Sequence, residues 1–186
     1  MKRCAWKFPR AAAVGLAVFV GAFALTGRSA AKAGDEPTAV HVLSQMHHIN
    51  QMEMDMGRMA MERGHSKAVR NFGKRLQRDH QANDKKVMEL AQRERVTLEM
   101  GPPQTPEEQE HAAEEAKTQQ DLQAAQGADF DRAFLQAMER GHADAAAMLT
   151  QAHDQIHDED VRHLVAATIP TVEKHRKMAQ DAESKL

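Results

Sequence analysis

Apolar residues alternating at spacings of four and three trace one face of a helix, and this chain repeats that pattern in four separate segments. Val42, Met46, Ile49, Glu53, Met56 and Ala60 form the first stripe, in a helix expected over residues 40–63. The second, expected over 66–98, carries Val69, Phe72, Leu76, His80, Asn83, Val87 and Leu90. The third (128–153) presents Phe130, Phe134, Met138, His142, Ala145 and Leu149. The fourth (158–184) presents Val161, Leu164, Val165, Thr168, Val172, His175 and Ala179. No segment alternates with the period of two that marks a strand. Four stripes with no sheet to cover them bury most simply against one another, as a bundle.

Local signals delimit these helices. Gly64 is placed to end the first in a left-handed cap and Ser66 to cap the second, which Gly101-Pro102-Pro103 then stops. Thr105-Pro106-Glu107-Glu108 reads as a fifth helix start, with a capping threonine, proline at the first position and a glutamate for a capping box. From Glu107 to Gln120 that helix, expected over 106–125, has only alanine as an apolar residue. It is therefore expected as a surface crossover, roughly 30 Å long and able to run the length of the bundle. Asp158, Glu159 and Asp160 suit the start of the last helix, and Pro170 is expected to kink it. The fold class that follows is all-α: a ferritin-like four-helix bundle over residues 40–186, with a long polar crossover between its second and third helices.

The first 33 residues read as an export signal. Lys2, Arg3, Lys7 and Arg10 precede an apolar run, Ala11 to Leu25, that is short for a membrane span, and Ala31-Lys32-Ala33 offers small residues for cleavage before Gly34. Arg28 stands where a lipoprotein signal would need cysteine, and the only cysteine is Cys4. Residues 34–39 are expected as a flexible lead into the bundle. All six charged residues of the signal are basic, so its removal takes the formal net charge from −2 to −8. An acidic chain is a poor partner for nucleic acid, and no stable membrane insertion is expected after cleavage. Without cysteine, the exported part has neither disulfides nor thiolate metal sites. The expected location is the periplasm.

Glu53, His80, His142 and His175 interrupt the four stripes near mid-helix, where each helix should be driest. Counted from the turns at roughly 1.5 Å per residue, they fall within about two helical turns of one level. A carboxylate and three imidazoles at one depth form a candidate site for one transition-metal ion, whether iron, zinc, copper, nickel or manganese, and no organic cofactor is implied. Asp79 and Asp131 are placed as further ligands or as partners that orient an imidazole. Gly57 and Gly141 are placed to make room nearby. The alternative is a metal-free hydrogen-bonded core, in an envelope structural or interaction module, whose polar cluster fixes helix register only.

The same residues carry a resemblance. Glu53 to Ala60, Val69-Arg70-Asn71-Phe72-Gly73, Asp79-His80, Phe130 to Phe134, His142, and Pro170 with His175 resemble the exported bacterial family called domain of unknown function 4142, often labelled predicted outer-membrane proteins. The resemblance implies a ferritin-like bundle and names no activity. The outer-membrane label has no support in strand patterning or a lipid anchor. Di-iron bundles pair two glutamates with two Glu-x-x-His motifs. Here Glu139 precedes His142 at that spacing, but Gln77 and Val172 precede His80 and His175, so a mononuclear site fits better than a ferroxidase centre.

A separate metal candidate lies along the methionine-rich first helix. His47, Met54, Met61 and His65 trace one stripe, with His48, Met52 and Met59 beside it, and thioether with imidazole suits Cu(I). Methionine also fills irregular packing gaps, which accounts for the same residues without copper. No nucleophile with a partnered base and no glycine-rich phosphate loop is present, so the chain points away from catalysis. A role in metal handling or envelope stress is the expectation that remains.

Overall fold

The computed structural model describes residues 38–103 and 106–186. The expected signal, most of the lead into the bundle, and Thr105 of the crossover's start lie outside the described residues. Five helices form among those described: α1 Ala39–Arg63, α2 Lys67–Glu94, α3 Pro106–Ala124, α4 Gly127–Gln155 and α5 Glu159–Glu183. α1 packs on α2 and α4 on α5, and the two hairpins meet chiefly through α2 and α5. The core contacts fix the directions. The start of α1, the end of α2, the end of α4 and the start of α5 share one apolar cluster, which includes Leu43, Val87, Leu149 and Val165. The opposite ends share a second, built on Leu76, Phe130, Phe134 and Ala179. Thus α2 and α4 run parallel, and α3 returns the chain along the bundle between them. This is the ferritin-like four-helix bundle with its polar crossover.

Caps fall where short polar side chains precede helices. The hydroxyls of Thr38 and Ser66 accept from the backbone N–H of His41 and Val69, and the Asp158 carboxylate accepts from Val161. Two sequence expectations about helix ends need correction. α2 stops at Glu94 and does not reach residue 98: Arg95 turns left-handed at φ 56°, and the N–H groups of Arg95 and Val96 close on the carbonyls of Gln92 and Ala91. That closure folds the chain back so that Leu98 packs on the first apolar cluster. Gly64, for its part, has φ −55° and is not left-handed. Glycine is needed there because a Cβ would lie 2.5 Å from the Ala60 carbonyl oxygen. α5 continues through Pro170, whose missing N–H falls on an exposed stretch of the helix.

α1 and α2 touch backbone to backbone. A Cβ on Gly57 would sit 2.6 Å from the Gly73 oxygen, and one on Gly73 would sit 2.5 Å from the Gly57 oxygen. Gly57 therefore makes room for α2 rather than for the polar cluster. The crossover is held at its C-terminal end: Leu122 is buried, and the Arg63 guanidinium donates to the carbonyls of Gln123 and Ala125 while lying over the Phe130 ring. Between the two apolar clusters runs a polar waist of Asn50, Glu53, His80, His142, Thr168 and His175, all buried.

Candidate metal centre

Each of the four bundle helices supplies one ionisable side chain to the waist: Glu53 from α1, His80 from α2, His142 from α4 and His175 from α5. None is more than 7% exposed. The three imidazoles converge, with ring centroids 5.3 Å apart for His80–His175 and His142–His175 and 5.9 Å for His80–His142. One ring nitrogen from each lies within 4.8 Å of the other two, and among the described residues no other set of three metal-ligating acids or imidazoles does so. Glu53 stands beside this trio, its Oε1 4.0 Å from His142 Nδ1.

Hydrogen bonds orient every ring. His142 Nδ1 donates to the Met138 carbonyl at 2.8 Å, which leaves Nε2 as the nitrogen with a free lone pair. His175 Nε2 is 3.1 Å from Asp79, and Asp79 also accepts from Arg75 and Arg78. The tautomer of His80 is set from a distance. Thr168 donates to the Leu164 carbonyl, so its oxygen accepts from Asn83 Nδ2; Asn83 Oδ1 then accepts from Asn50 Nδ2, and Asn50 Oδ1 is left to accept from His80 Nδ1 at 2.9 Å. The remaining ring nitrogens, His80 Nε2, His142 Nε2 and His175 Nδ1, have no hydrogen-bond partner, nor has Glu53 Oε2. Histidine ligands to metals characteristically use one nitrogen on the ion and the other on a carbonyl, amide or carboxylate that fixes the ring.

Electrostatics favour neutral rings. Burial pushes His80 well below the usual imidazole range, with His142 and His175 pushing the same way and Asp79 opposing. Burial likewise lowers His175 to about 4, against the hydrogen bond it donates to Asp79. Burial would raise Asp79, but hydrogen bonds from Arg78, His175 and Arg75 hold it at about 2, so it is an anion beside His175. Burial raises the Glu53 carboxyl, opposed by His142. Near neutral pH, His80 and His175 therefore present lone pairs with no proton to displace.

There is also space. A cavity of about 70 Å³ touches Asn50, Glu53, His80, Gly141, His142 and Thr168, room for more than one water at roughly 10–15 Å³ each. Gly141 lines this cavity, and a Cβ there would meet nothing within 4 Å, so the space does not depend on its being glycine.

Other candidate residues separate from the waist. Asp79 stands beside the waist and accepts from His175 Nε2. Asp131 does not reach the imidazoles: fully buried, it accepts from the backbone N–H groups of His65 and Ser66, both at 2.7 Å, and ties α4 to the α1–α2 turn. Those two N–H groups belong to a helix start, where carboxylates bind well. Glu139 turns outward to Arg176 and Gln180. His47 Nδ1 pairs with Asp84 at 2.7 Å, and Met54 and Met61 follow it at intervals of roughly 10 Å along α1, too far apart to share an ion with it. His65 is exposed at the turn. Asn50 lies beside Ile49, off the stripe read from the sequence, yet it is the buried one of the two.

Residues 24–182 match the family described as a domain of unknown function, DUF4142. The chain belongs to this family. No curated protein matches the sequence. Among solved structures, it is similar to a DUF305 fragment from Deinococcus radiodurans, at 20% identity and TM-score 0.69 over 81% of this chain and 97% of that one. It is also similar to CopM in its Cu(I)-bound form, at 17% identity and TM-score 0.64 over 80% of this chain and 96% of that one. The Cu(II)-bound form of CopM gives 17% identity and TM-score 0.61 over 80% and 98%. At these identities the likeness shows the bundle fold. No helix among the described residues is long and apolar enough to cross a membrane.

Proposed function

We propose that this DUF4142 protein is an exported, periplasmic metal-binding bundle, with one transition-metal ion held by His80 Nε2, His142 Nε2 and His175 Nδ1. Glu53 completes the set, as a fourth ligand or as the acceptor for a water on the ion. The observation that carries this reading is the convergence of three imidazoles, one ring nitrogen of each within 4.8 Å of the others, beside a buried Glu53 oxygen that likewise has no hydrogen-bond partner. Left unsatisfied, each buried group costs about 1–3 kcal/mol. Four together cost an amount comparable with the roughly 5–15 kcal/mol that holds a domain folded. An ion satisfies all four at once. Ligand nitrogens on one ion at bonds of about 2.0–2.1 Å stand roughly 3.4 Å apart. Closing from within 4.8 Å is a shift of about 1 Å or less per ring.

The donor set suits iron, zinc, copper, nickel or manganese. The copper-bound forms of CopM, which shares the fold, make copper the first ion to test. The physiological role we assign is metal handling or protection of the envelope, without an enzymatic reaction. The test is elemental analysis of protein expressed from all 186 residues and purified without tag or chelator. One equivalent of metal in the wild type, lost in both His80→Ala and His142→Ala, is the expected result. Sub-stoichiometric metal unaffected by either substitution sinks the proposal.

A further inference from the structure

Outside the histidine trio lies a larger chamber, about 240 Å³, between α1, α4 and the crossover α3. Its walls carry four thioethers: Met52, Met56 and Met59 from α1 and Met138 from α4. Met56 is central, because Met52 and Met59 are four and three residues away on the same helix face, with Cβ atoms about 5–6 Å apart. The sequence reading divided these methionines between core packing and an outer stripe. In the fold Met56 and Met138 are buried in the second apolar cluster with Met52 and Met59 packed against it, and all four also border the open space of the chamber.

Half of the remaining ten lining residues are acidic: Glu53, Asp55, Glu114, Glu115 and Asp144 share the wall with Arg140, and Asp55 also pairs with Arg58 at 3.3 Å. Thioethers contribute polarizable sulfur donors and the carboxylates contribute negative potential, a pairing that draws a cation and selects a soft one. A third observation gives the chamber a direction. Met52, Glu53, Glu115 and Gly141 line both this chamber and the small cavity at the histidines. Glu53, whose buried Oε2 has no partner, thus stands on the boundary between them.

We infer that the chamber is a second cation site, which holds a soft monovalent ion, Cu(I) or Ag(I), on the sulfurs of Met52, Met56, Met59 and Met138 beneath the crossover helix. It is the vestibule through which that ion reaches the histidines past Glu53 and Gly141. The inward route rests on the reading of the histidines as a metal site; the thioether site stands without it. Binding needs no electron transfer, since the ion enters and stays monovalent.

The experiment is titration of the protein expressed from all 186 residues with Ag(I), a redox-inert probe, followed by methionine methyl NMR with single Met→Leu variants for assignment. The methyls of Met52, Met56, Met59 and Met138 should shift together at the first chamber equivalent, while those of Met54, Met61 and Met88 stay in place. Met56→Leu/Met138→Leu should weaken that binding about tenfold or more, as should Met52→Leu/Met59→Leu, which changes only half-buried side chains and keeps the fold if the core pair does not. The same shifts should persist in His80→Ala/His142→Ala. Unmoved chamber methyls, equal shifts at the outer methionines, or unchanged affinity in both leucine variants overturn the inference. Chamber shifts with no metal at the histidines would instead refute the central site and leave this one standing.

Discussion

Replacing His142 with leucine should make the metal-free protein more stable, and the size of the gain follows from its surroundings. The ring is 2% exposed, and it makes one hydrogen bond, from Nδ1 to the Met138 carbonyl. In a continuous helix that carbonyl already accepts from the backbone one turn on, so losing the ring N–H costs about 1 kcal/mol. Against this, His142→Leu removes the unpartnered Nε2, a relief of about 1–3 kcal/mol. It also buries an aliphatic side chain, worth about 1.5–3 kcal/mol before subtracting the contacts of the imidazole it replaces. The net is a stabilisation of roughly 1–3 kcal/mol, or about 3–9 °C in Tm for a chain of this size. Calorimetry on chelator-treated wild type and variant measures it. With an ion at a hundred times its dissociation constant, the wild type should gain about 2.7 kcal/mol that the variant cannot. A metal-free variant less stable than wild type by about 2 kcal/mol would refute the reasoning, because the cluster would then be a packing device that the bundle needs.

Three further outcomes test separate parts of the structure. Metal-free stability should fall with acid: His175 has a folded pKa of about 4 against an ordinary 6.5, so the unfolded chain takes up the proton first. The contribution is complete above pH 6.5 and disappears as pH falls through about 4, roughly 3 kcal/mol for this ring, with His80 acting in the same direction. Urea denaturation at pH 7, 5.5 and 4.5 in a Glu53→Gln background, which removes the opposing effect of a raised carboxyl, should show the decline; a flat profile rejects it. Gly73→Ala should destabilise by about 1–3 kcal/mol or more, because its Cβ meets the Gly57 carbonyl, whereas Gly141→Ala, facing open space, should be neutral or gain up to about 1 kcal/mol by thermal melts. Asp131→Ala should cost about 3 kcal/mol through its two N–H partners and leave metal affinity unchanged, while Asp79→Asn should weaken metal binding by about 10–100-fold in chelator competition.

The bundle was legible because its information is periodic. Four stripes of three-and-four spacing announce four buried faces, and a polar helix after a proline-rich boundary announces a crossover. The depth of Glu53, His80, His142 and His175 was legible too, since rise per residue converts position into height. What spacing does not encode is direction around the axis within a few tens of degrees. Asp131 and Asp79 each neighbour the buried stripe, yet one points to a turn and the other to His175. Backbone proximity is equally silent: Gly57 reads as space beside Glu53 until α2 is seen lying against it. The relay from Thr168 through Asn83 and Asn50 to His80 spans three helices, so no local pattern reports it. End effects were hidden for a different reason: Arg95 ends α2 in a left-handed turn that glycine or asparagine usually takes, and neither stands there to announce it.

The position of the trio between the hairpins gives it mechanical meaning. Glu53 and His80 belong to the α1–α2 hairpin, and His142 and His175 to the α4–α5 hairpin. Within each hairpin packing is extensive, and Gly57 against Gly73 lets α1 and α2 meet at the backbone. Across the seam packing is sparser, and the polar waist divides the apolar core into two clusters. An ion ligated from both sides therefore acts where the bundle is weakest. The same four atoms that burden the empty bundle would become its strongest link between halves. Metal should consequently slow amide exchange most at mid-helix, around His80 and His175, and least at the helix ends, which the two apolar clusters already hold. Protection confined to one hairpin would mean that the ion does not bridge the seam.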